Sequence, residues 1–346
     1  MTNRKNPHPP IGVGGAALAR RAVFILALTL AVLGSAPTRA ADPDGKIQST
    51  AGIRAQDQVW LVSTRHIGCT TCGGDPAFWQ LSGGQWAGSS AKEFHNTADP
   101  ALTTVIYIHG NRIDDQEGSS GGLAVYQQII ANHAQEQGVR YVIWSWPSTK
   151  ICGPIKDVRS KAWRSDEEAV LLARFLADFS SPPAAGGSPQ PAKNPLRVGI
   201  IAFSYGARIT GGALHLLNGG ELLGQRVSAV DPPKFHVAFW AAAAHNNWLL
   251  PGYRHGEALP LGEKWLNLVN SNDESLTHYE MLERGRNPPA LGYTGLAGRY
   301  LLPAELSERW EEWDVSCLVG RTHNYQPYLY SPWVAQRTAQ VALWQE

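Results

Sequence analysis

The sequence predicts an α/β fold: a mostly parallel, doubly wound sheet covered by helices. Three observations carry this reading. Short strand-like runs are apolar on both faces, amphipathic helical repeats lie between them, and the two kinds of segment alternate. The chain has 346 residues, 43% of them hydrophobic, which is enough to bury a sizeable core. Charged residues make up 17% and the formal net charge is +1, which argues against a nucleic-acid groove with its concentrated basic face.

The strand-like runs are "VWLVSTR" (Val59 to Arg65), "TVIYIHG" (Thr104 to Gly110), "YVIWSWP" (Tyr141 to Pro147), "VGIIAFS" (Val198 to Ser204), "FHVAFWAA" (Phe235 to Ala242) and "WLNLVNS" (Trp265 to Ser271). Helical patterns fall between them. "GGLAVYQQIIANHAQEQG" closes on Gly138, a C-terminal cap residue. In "SDEEAVLLARFLADF", Ser165 and Glu168 have capping-box spacing, and Ala169, Leu172, Phe175 and Leu176 form one apolar stripe. Ile209, Ala213, Leu216 and Leu217 make another stripe, ended by Gly219 and Gly220. The last helix is expected in "SPWVAQRTAQVALWQE", with Ser331 as cap and Pro332 at its first position. "SSPPAAGGSPQPAKNP" (Ser180 to Pro195) reads as a surface loop, because alternation resumes directly after it. Tyr279 to Val319 breaks the pattern and is expected to form a cap-like excursion over one edge of the site, with a short helix at "PAELSERWEEW". There are no internal repeats.

Residues 1–40 read as a secretory signal: Arg20 and Arg21, then "AVFILALTLAVLGSA", then a small residue at Ala40. An uncleaved membrane anchor is the alternative, and "ARRAVF" is a weak twin-arginine pattern. No cysteine precedes Cys69, which excludes a lipid-anchored cysteine at the cleavage site. Residues 41–57 are expected to be a flexible N-terminal segment, and 58–346 one domain. No later segment is apolar for long enough to span a bilayer. The N-terminal signal makes a secreted or periplasmic location the expectation. Export permits disulfides among Cys69, Cys72, Cys152 and Cys317. A bridge within "CTTC", or bridges from it to Cys152 and Cys317, is the expectation, and the connectivity stays open. No second CxxC and no paired histidines at zinc-finger spacing follow, so no metal site is expected.

In "VGIIAFSYGARITGGALHLLNGG" an apolar strand runs straight through Ser204 into a helix. A sharp strand-to-helix turn lifts the serine oxygen above the sheet. It needs small residues two before and two after, as in G-x-S-x-G; here these are Ala202 and Gly206. A plain helix cap is the bland alternative for this serine. A serine hydroxyl needs a base, and the base needs an acid to orient it. Asp273 in "NLVNSNDESL" and His323 in "GRTHNYQPYLYSP" follow in the expected order. Glu274 is a rival acid and His278 a rival base, the latter too near Asp273 in sequence to suit that order.

Taken in order, "VWLVSTR", "YIHGN", "WSWPS", "FSYGARI", "NSNDESL", "LGYTGL" and "RTHNYQPYLYSP" resemble a group of bacterial α/β-hydrolase-fold proteins described as serine hydrolases of unknown function. The resemblance spans roughly Val59 to Val334. It implies Ser204 as nucleophile, Asp273 as acid and His323 as base, and it does not imply a substrate. "YIHGN" ends an early strand where that fold places half of an oxyanion hole. The backbone N–H groups of Asn111 and Tyr205 are therefore expected to hold the oxyanion, each contributing about 3 kcal/mol of barrier lowering. His109 is expected to orient this loop by hydrogen bonding and not to act as a base.

A substrate pocket is expected among His109, Arg112, Trp146, His245 and Asn246, with Trp144, Trp240 and Trp248 as further wall candidates. Arg112, Asp114 and Asp115 follow the oxyanion loop and could contact a polar substrate, but a solvated charged turn is the preferred reading for them. His66, His95, His133, His215, His236 and His255 show no metal-ligand spacing. The expected chemistry is hydrolysis of a small-molecule carboxylic ester or thioester through an acyl-enzyme, with no cofactor and no nucleic-acid partner; the oligomeric state stays open. Two alternatives remain: a catalytically silent binding or envelope-associated protein on the same fold, and a thiol-disulfide or metal protein built on "CTTC".

Overall fold

Among the described residues, the most apolar runs form the middle of a nine-stranded sheet. The computed structural model describes residues 53–68, 74–99, 101–180, 196–227, 229, 231–282 and 288–345. The signal segment 1–40, Cys69 and Cys72, and nearly all of the 180–195 loop lie outside them. The strands are β1 (Gln58–Ser63), β2 (Ala77–Ser82), β3 (Gln85–Ser89), β4 (Thr103–Ile108), β5 (Val139–Ser145), β6 (Arg197–Phe203), β7 (Lys234–Trp240), β8 (Gly262–Val269) and β9 (Trp310–Asp314). Their spatial order is β3-β2-β1-β5-β4-β6-β7-β8-β9. Every pair from β1 to β9 is parallel, and the β1–β2 and β2–β3 pairs are antiparallel.

The four longest helices among the described residues are α1 (Asp115–Val125), α2 (Pro154–Ala177), α3 (Tyr205–Leu217) and α4 (Pro332–Ala342). They divide between the two faces. On β5, the Tyr141 hydroxyl donates to Gly122 O of α1 and Ile143 packs beneath the same glycine. Trp144, on the opposite face, meets Phe175 of α2. On β7, the His236 and Trp240 side chains bond to Val341 and Thr338 of α4. Such double coverage explains why β4 and β5 are buried along their whole length.

Several boundaries differ from the sequence reading. α1 begins at Asp115, where Asp114 and Glu117 form a capping box, and a π-helical turn (Tyr126–Ala131) continues it. Asp114 is thus a helix cap and not a free loop charge. α2 begins eleven residues before Ser165. The Ser165 hydroxyl caps nothing and donates to Ala162 O, while Glu168 is buried and accepts from Thr64 Oγ1 at 2.7 Å. Pro154 at the first turn is the better start signal. Ser331 does precede α4 with Pro332 at the first position, but its hydroxyl makes no capping bond.

Packing starts before residue 58. Ile53 lies against the core, Arg54 N donates to the Tyr126 hydroxyl at 3.1 Å, and Asp57 accepts from Val139 N at 2.9 Å. Residues 53–57 are therefore tied to the domain and do not trail from it. The 279–319 excursion contains β9, the edge strand beside β8. Its short helix (Ala304–Arg309) stops where Trp310 turns extended, so "WEEW" belongs to the sheet. Cys152 and Cys317 are exposed and free, so neither is bridged to the "CTTC" pair. No helix among the described residues is long and apolar enough to cross a membrane.

α2 and α3 are joined by a buried charge cluster. Arg208 grips Asp166 with two bonds of 2.8 and 2.9 Å, and Arg254 adds a third of 2.7 Å. Burial opposes the Asp166 charge, yet the two guanidinium groups hold its pKa below the usual range. Replacing Asp166 by alanine leaves Arg208 buried without its carboxylate. We expect Asp166→Ala to lose about 3–5 kcal/mol of unfolding free energy, read from urea denaturation. An unchanged midpoint would show that this cluster does not join the helices.

Candidate active site

Ser204 occupies the turn between β6 and α3 with φ 55° and ψ −117°, a conformation that costs a non-glycine residue about 1–3 kcal/mol. The surroundings hold it there: Ser204 N donates to Trp240 O at 2.9 Å, and Ser204 O accepts from Ala243 N at 3.0 Å. Gly206 is required because a Cβ would lie 2.3 Å from Ile108 O. Ala202 stands inside β6 between Ile108 and Phe239 and is fully buried. The core therefore accommodates the methyl group at the place where the motif usually has glycine.

Two later strand ends bring partners to this serine. Ser204 Oγ lies 2.8 Å from His323 Nε2, and His323 Nδ1 lies 2.7 Å from Asp273 Oδ2. Asp273 follows β8 and is fully buried. Its other oxygen, Oδ1, accepts from the backbone N–H groups of Ser275 and Leu276, each at 2.9 Å. Those bonds fix the carboxylate, so His323 donates from Nδ1 and presents Nε2 as the acceptor for the serine hydroxyl. The Phe203 ring lies 5.2 Å from the His323 ring and supports it from one side. Glu274 points elsewhere: its carboxylate meets exposed Arg321 at 2.7 Å. His323, and not His278, is the imidazole at Ser204. Serine, aspartate and histidine in this chain order, after β6, β8 and β9 of a parallel sheet, are the arrangement of the α/β-hydrolase fold.

The loop after β4 approaches the same turn. A Cβ on Gly110 would lie 2.8 Å from the Phe203 ring and 2.9 Å from Ser204 Cβ, which places Asn111 beside the serine. His109 is buried, with Nδ1 2.9 Å from Gly110 O and Nε2 3.3 Å from Arg65 Nη2. Nδ1 therefore carries the proton and Nε2 accepts from the guanidinium. Burial, with the Arg65 charge beside it, pushes the His109 pKa down to about 3. His109 is a neutral member of the loop's hydrogen-bond frame. Trp146 stacks on its ring and donates to His109 O at 2.8 Å.

The expected pocket residues separate into different roles. His109 and Trp146 are interior. Trp144 and Trp240 are also fully buried, Trp240 stacking on Tyr328, so none of these three tryptophans walls an open pocket. Arg112 pairs with Asp157 at 2.8 Å. Asn246 donates to Thr294 Oγ1 at 2.9 Å, and its backbone binds Pro289 and Ala297, so it ties down the segment after residue 288. His245 lies 4.1 Å, ring to ring, from Trp248. A polar surface hollow lined by His236, Glu263, Lys264, Glu305, Glu308 and Arg309 sits at the start of β7 and β8, the opposite end of the sheet from Ser204. No cluster of His, Cys, Asp or Glu among the described residues has the geometry to hold a metal ion.

Sequence reading missed Arg65 and Asp157. Arg65 closes the strand run "VWLVSTR", and it donates to Ser145 Oγ, Ile113 O and Asp114 O at 2.7, 3.1 and 2.9 Å. Asp157 stands in the first part of α2, where nothing marks it off from other helix carboxylates.

No family model matches the chain, and no curated protein matches it. Among solved structures, the chain is similar to the crystal structure of esterase B from Lactobacillus rhamnosis inhibited by a C4-C4 SN3 tributyrin phosphonate. The identity is 14%, the match covers 96% of this chain and 97% of that one, and the TM-score is 0.39.

The neutral state of His109 makes a pH prediction. Its folded pKa is depressed below the ordinary value near 6.5, so the unfolded chain binds the extra proton first. The stability from neutral His109 is present above pH 6.5 and is lost as pH falls from there toward 3. We expect the fall in melting temperature between pH 7.5 and 5 to be smaller in His109→Gln than in wild type. An equal fall in both would contradict the assignment.

Proposed function

We propose that the chain is a serine hydrolase acting on carboxylic esters or thioesters through an acyl-enzyme. One observation carries this reading: the unbroken line of hydrogen bonds from Ser204 through His323 to Asp273, at 2.8 and 2.7 Å. Ser204 Oγ attacks the carbonyl carbon while His323 Nε2 takes its proton. The tetrahedral oxyanion is held by the amides of Asn111 and Tyr205. Tyr205 is at the N-terminal end of α3, where helix N–H groups and the helix dipole favour negative charge. Collapse breaks the bond to the alcohol or thiol, which leaves with the proton from His323. Water, deprotonated by His323, then attacks the acyl group, and Ser204 regains its proton. Asp273 holds the imidazole tautomer and stabilises the imidazolium. Residues 1–40 would export the enzyme to the periplasm or the medium.

Wild type should label with a fluorophosphonate probe, and Ser204→Ala should not. Labelling of folded Ser204→Ala, or none of folded wild type, overturns the nucleophile assignment. With a p-nitrophenyl ester, Asp273→Asn should lower kcat about 10³–10⁴-fold. Glu274→Gln should stay near wild type, because its carboxylate faces exposed Arg321. The reverse pattern would exchange the roles of the two acids.

A further inference from the structure

We infer that Asp157 is a positioning residue that sets the loop carrying the Asn111 amide, an inference that rests on the hydrolase reading above. Asp157 is fully buried within the first part of α2, yet its carboxylate does not face its own helix alone. Oδ2 accepts from Arg112 Nε at 2.8 Å and from Asn111 Nδ2 at 3.4 Å, while Oδ1 accepts from Ile151 N at 3.0 Å. One buried charge thus gathers the two residues after Gly110 and the segment that leads into α2.

The loop needs such a hold. Arg112 has φ 61°, a left-handed conformation that is strained for a residue with a side chain. Arg112 N donates to Ser148 O at 2.8 Å, which directs the backbone next to Asn111. Arg65 secures the other side of the loop through Ile113 O, Asp114 O and His109 Nε2. Asn111 is therefore suspended between Gly110, pressed against Ser204, and Arg112, drawn to Asp157. An oxyanion donor acts only when it is already aimed where charge develops, so an error of a fraction of an ångström here reduces the rate without weakening substrate binding. A residue that merely anchors α2 would lower stability and leave each folded molecule at full speed.

The test compares wild type with Asp157→Asn, a neutral side chain of nearly the same shape. Active sites are counted by fluorophosphonate titration and turnover of p-nitrophenyl butyrate is measured against pH. We expect kcat per titrated site to fall about 10- to 100-fold with KM within about threefold, the pattern of lost transition-state stabilisation. The acidic limb of the kcat/KM profile should not move, because Ser204, His323 and Asp273 are untouched. Arg112→Ala should lower kcat in the same direction, Arg112→Lys should restore part of it, and the Asp157→Asn, Arg112→Ala double variant should be no worse than Asp157→Asn alone.

Wild-type kcat per site in folded Asp157→Asn, a displaced acidic limb, or additive losses in the double variant would overturn the inference. Should Asp157→Asn fail to fold, Arg112→Ala and Asn111→Ala decide by the same measure, and unchanged kcat in both overturns it. A folded wild type that takes no label and hydrolyses no ester would remove the hydrolase reading and this inference with it. An active wild type beside a fully active Asp157→Asn would remove this inference alone.

Discussion

The geometry around Ser204 depends on how closely two neighbouring strand ends can approach. β4 and β6 are adjacent in the sheet, so the turns that leave them compete for the same space. A Cβ on Gly206 would strike Ile108 O, and a Cβ on Gly110 would strike Phe203 and Ser204. Without side chains at those two positions, the backbones meet and Ser204 is held in its strained conformation by Trp240 O on one side and Ala243 N on the other. The strain is sustained because the turn is bonded into β7 and packed under α3, and it cannot relax without breaking both.

Around this contact, charge is kept where it has partners. Arg65 and Asp157 hold the loop after β4 from two directions, and the Arg208–Asp166–Arg254 cluster fastens α3 to α2. His109, which has no acid beside it and faces Arg65, is neutral. The carboxylate of Asp273 is fully buried but meets three N–H groups, one of them on His323. Each of these groups removes freedom from a loop that would otherwise sample many arrangements. The result is a rigid approach to Ser204 on a sheet whose β8 and β9 deliver the other two side chains.

The central strands were legible because burial on both faces leaves unbroken apolar runs, and β4, β5, β6 and β7 appear within a residue or two of where those runs lie. The outer strands were not read. β2 and β3 are half-exposed, so their apolar residues are diluted, although Gly83 and Gly84, with φ 55° and 83°, carried a two-residue hairpin signal between them. β9 was hidden by a charged edge sequence that suits a helix as well as a strand. The capping pair at Ser165 and Glu168 misled because the same spacing arises inside a helix, where the Ser165 hydroxyl bonds back to Ala162 O of its own helix and Glu168 is drawn across the interior to Thr64.

From residue order alone came the α/β alternation, the turn at Ser204 and the succession of serine, acid and histidine, since each rests on local pattern or on spacing along the chain. Three-dimensional packing had to choose between Asp273 and Glu274 and between His323 and His278. Neighbouring residues in a loop are chemically alike on paper, and only the surrounding backbone donors and salt-bridge partners aim one inward and the other into solvent. Arg65 and Asp157 came from packing entirely. A charged residue acquires such a role from the distant loop it happens to face, and no periodicity in the sequence records that distance.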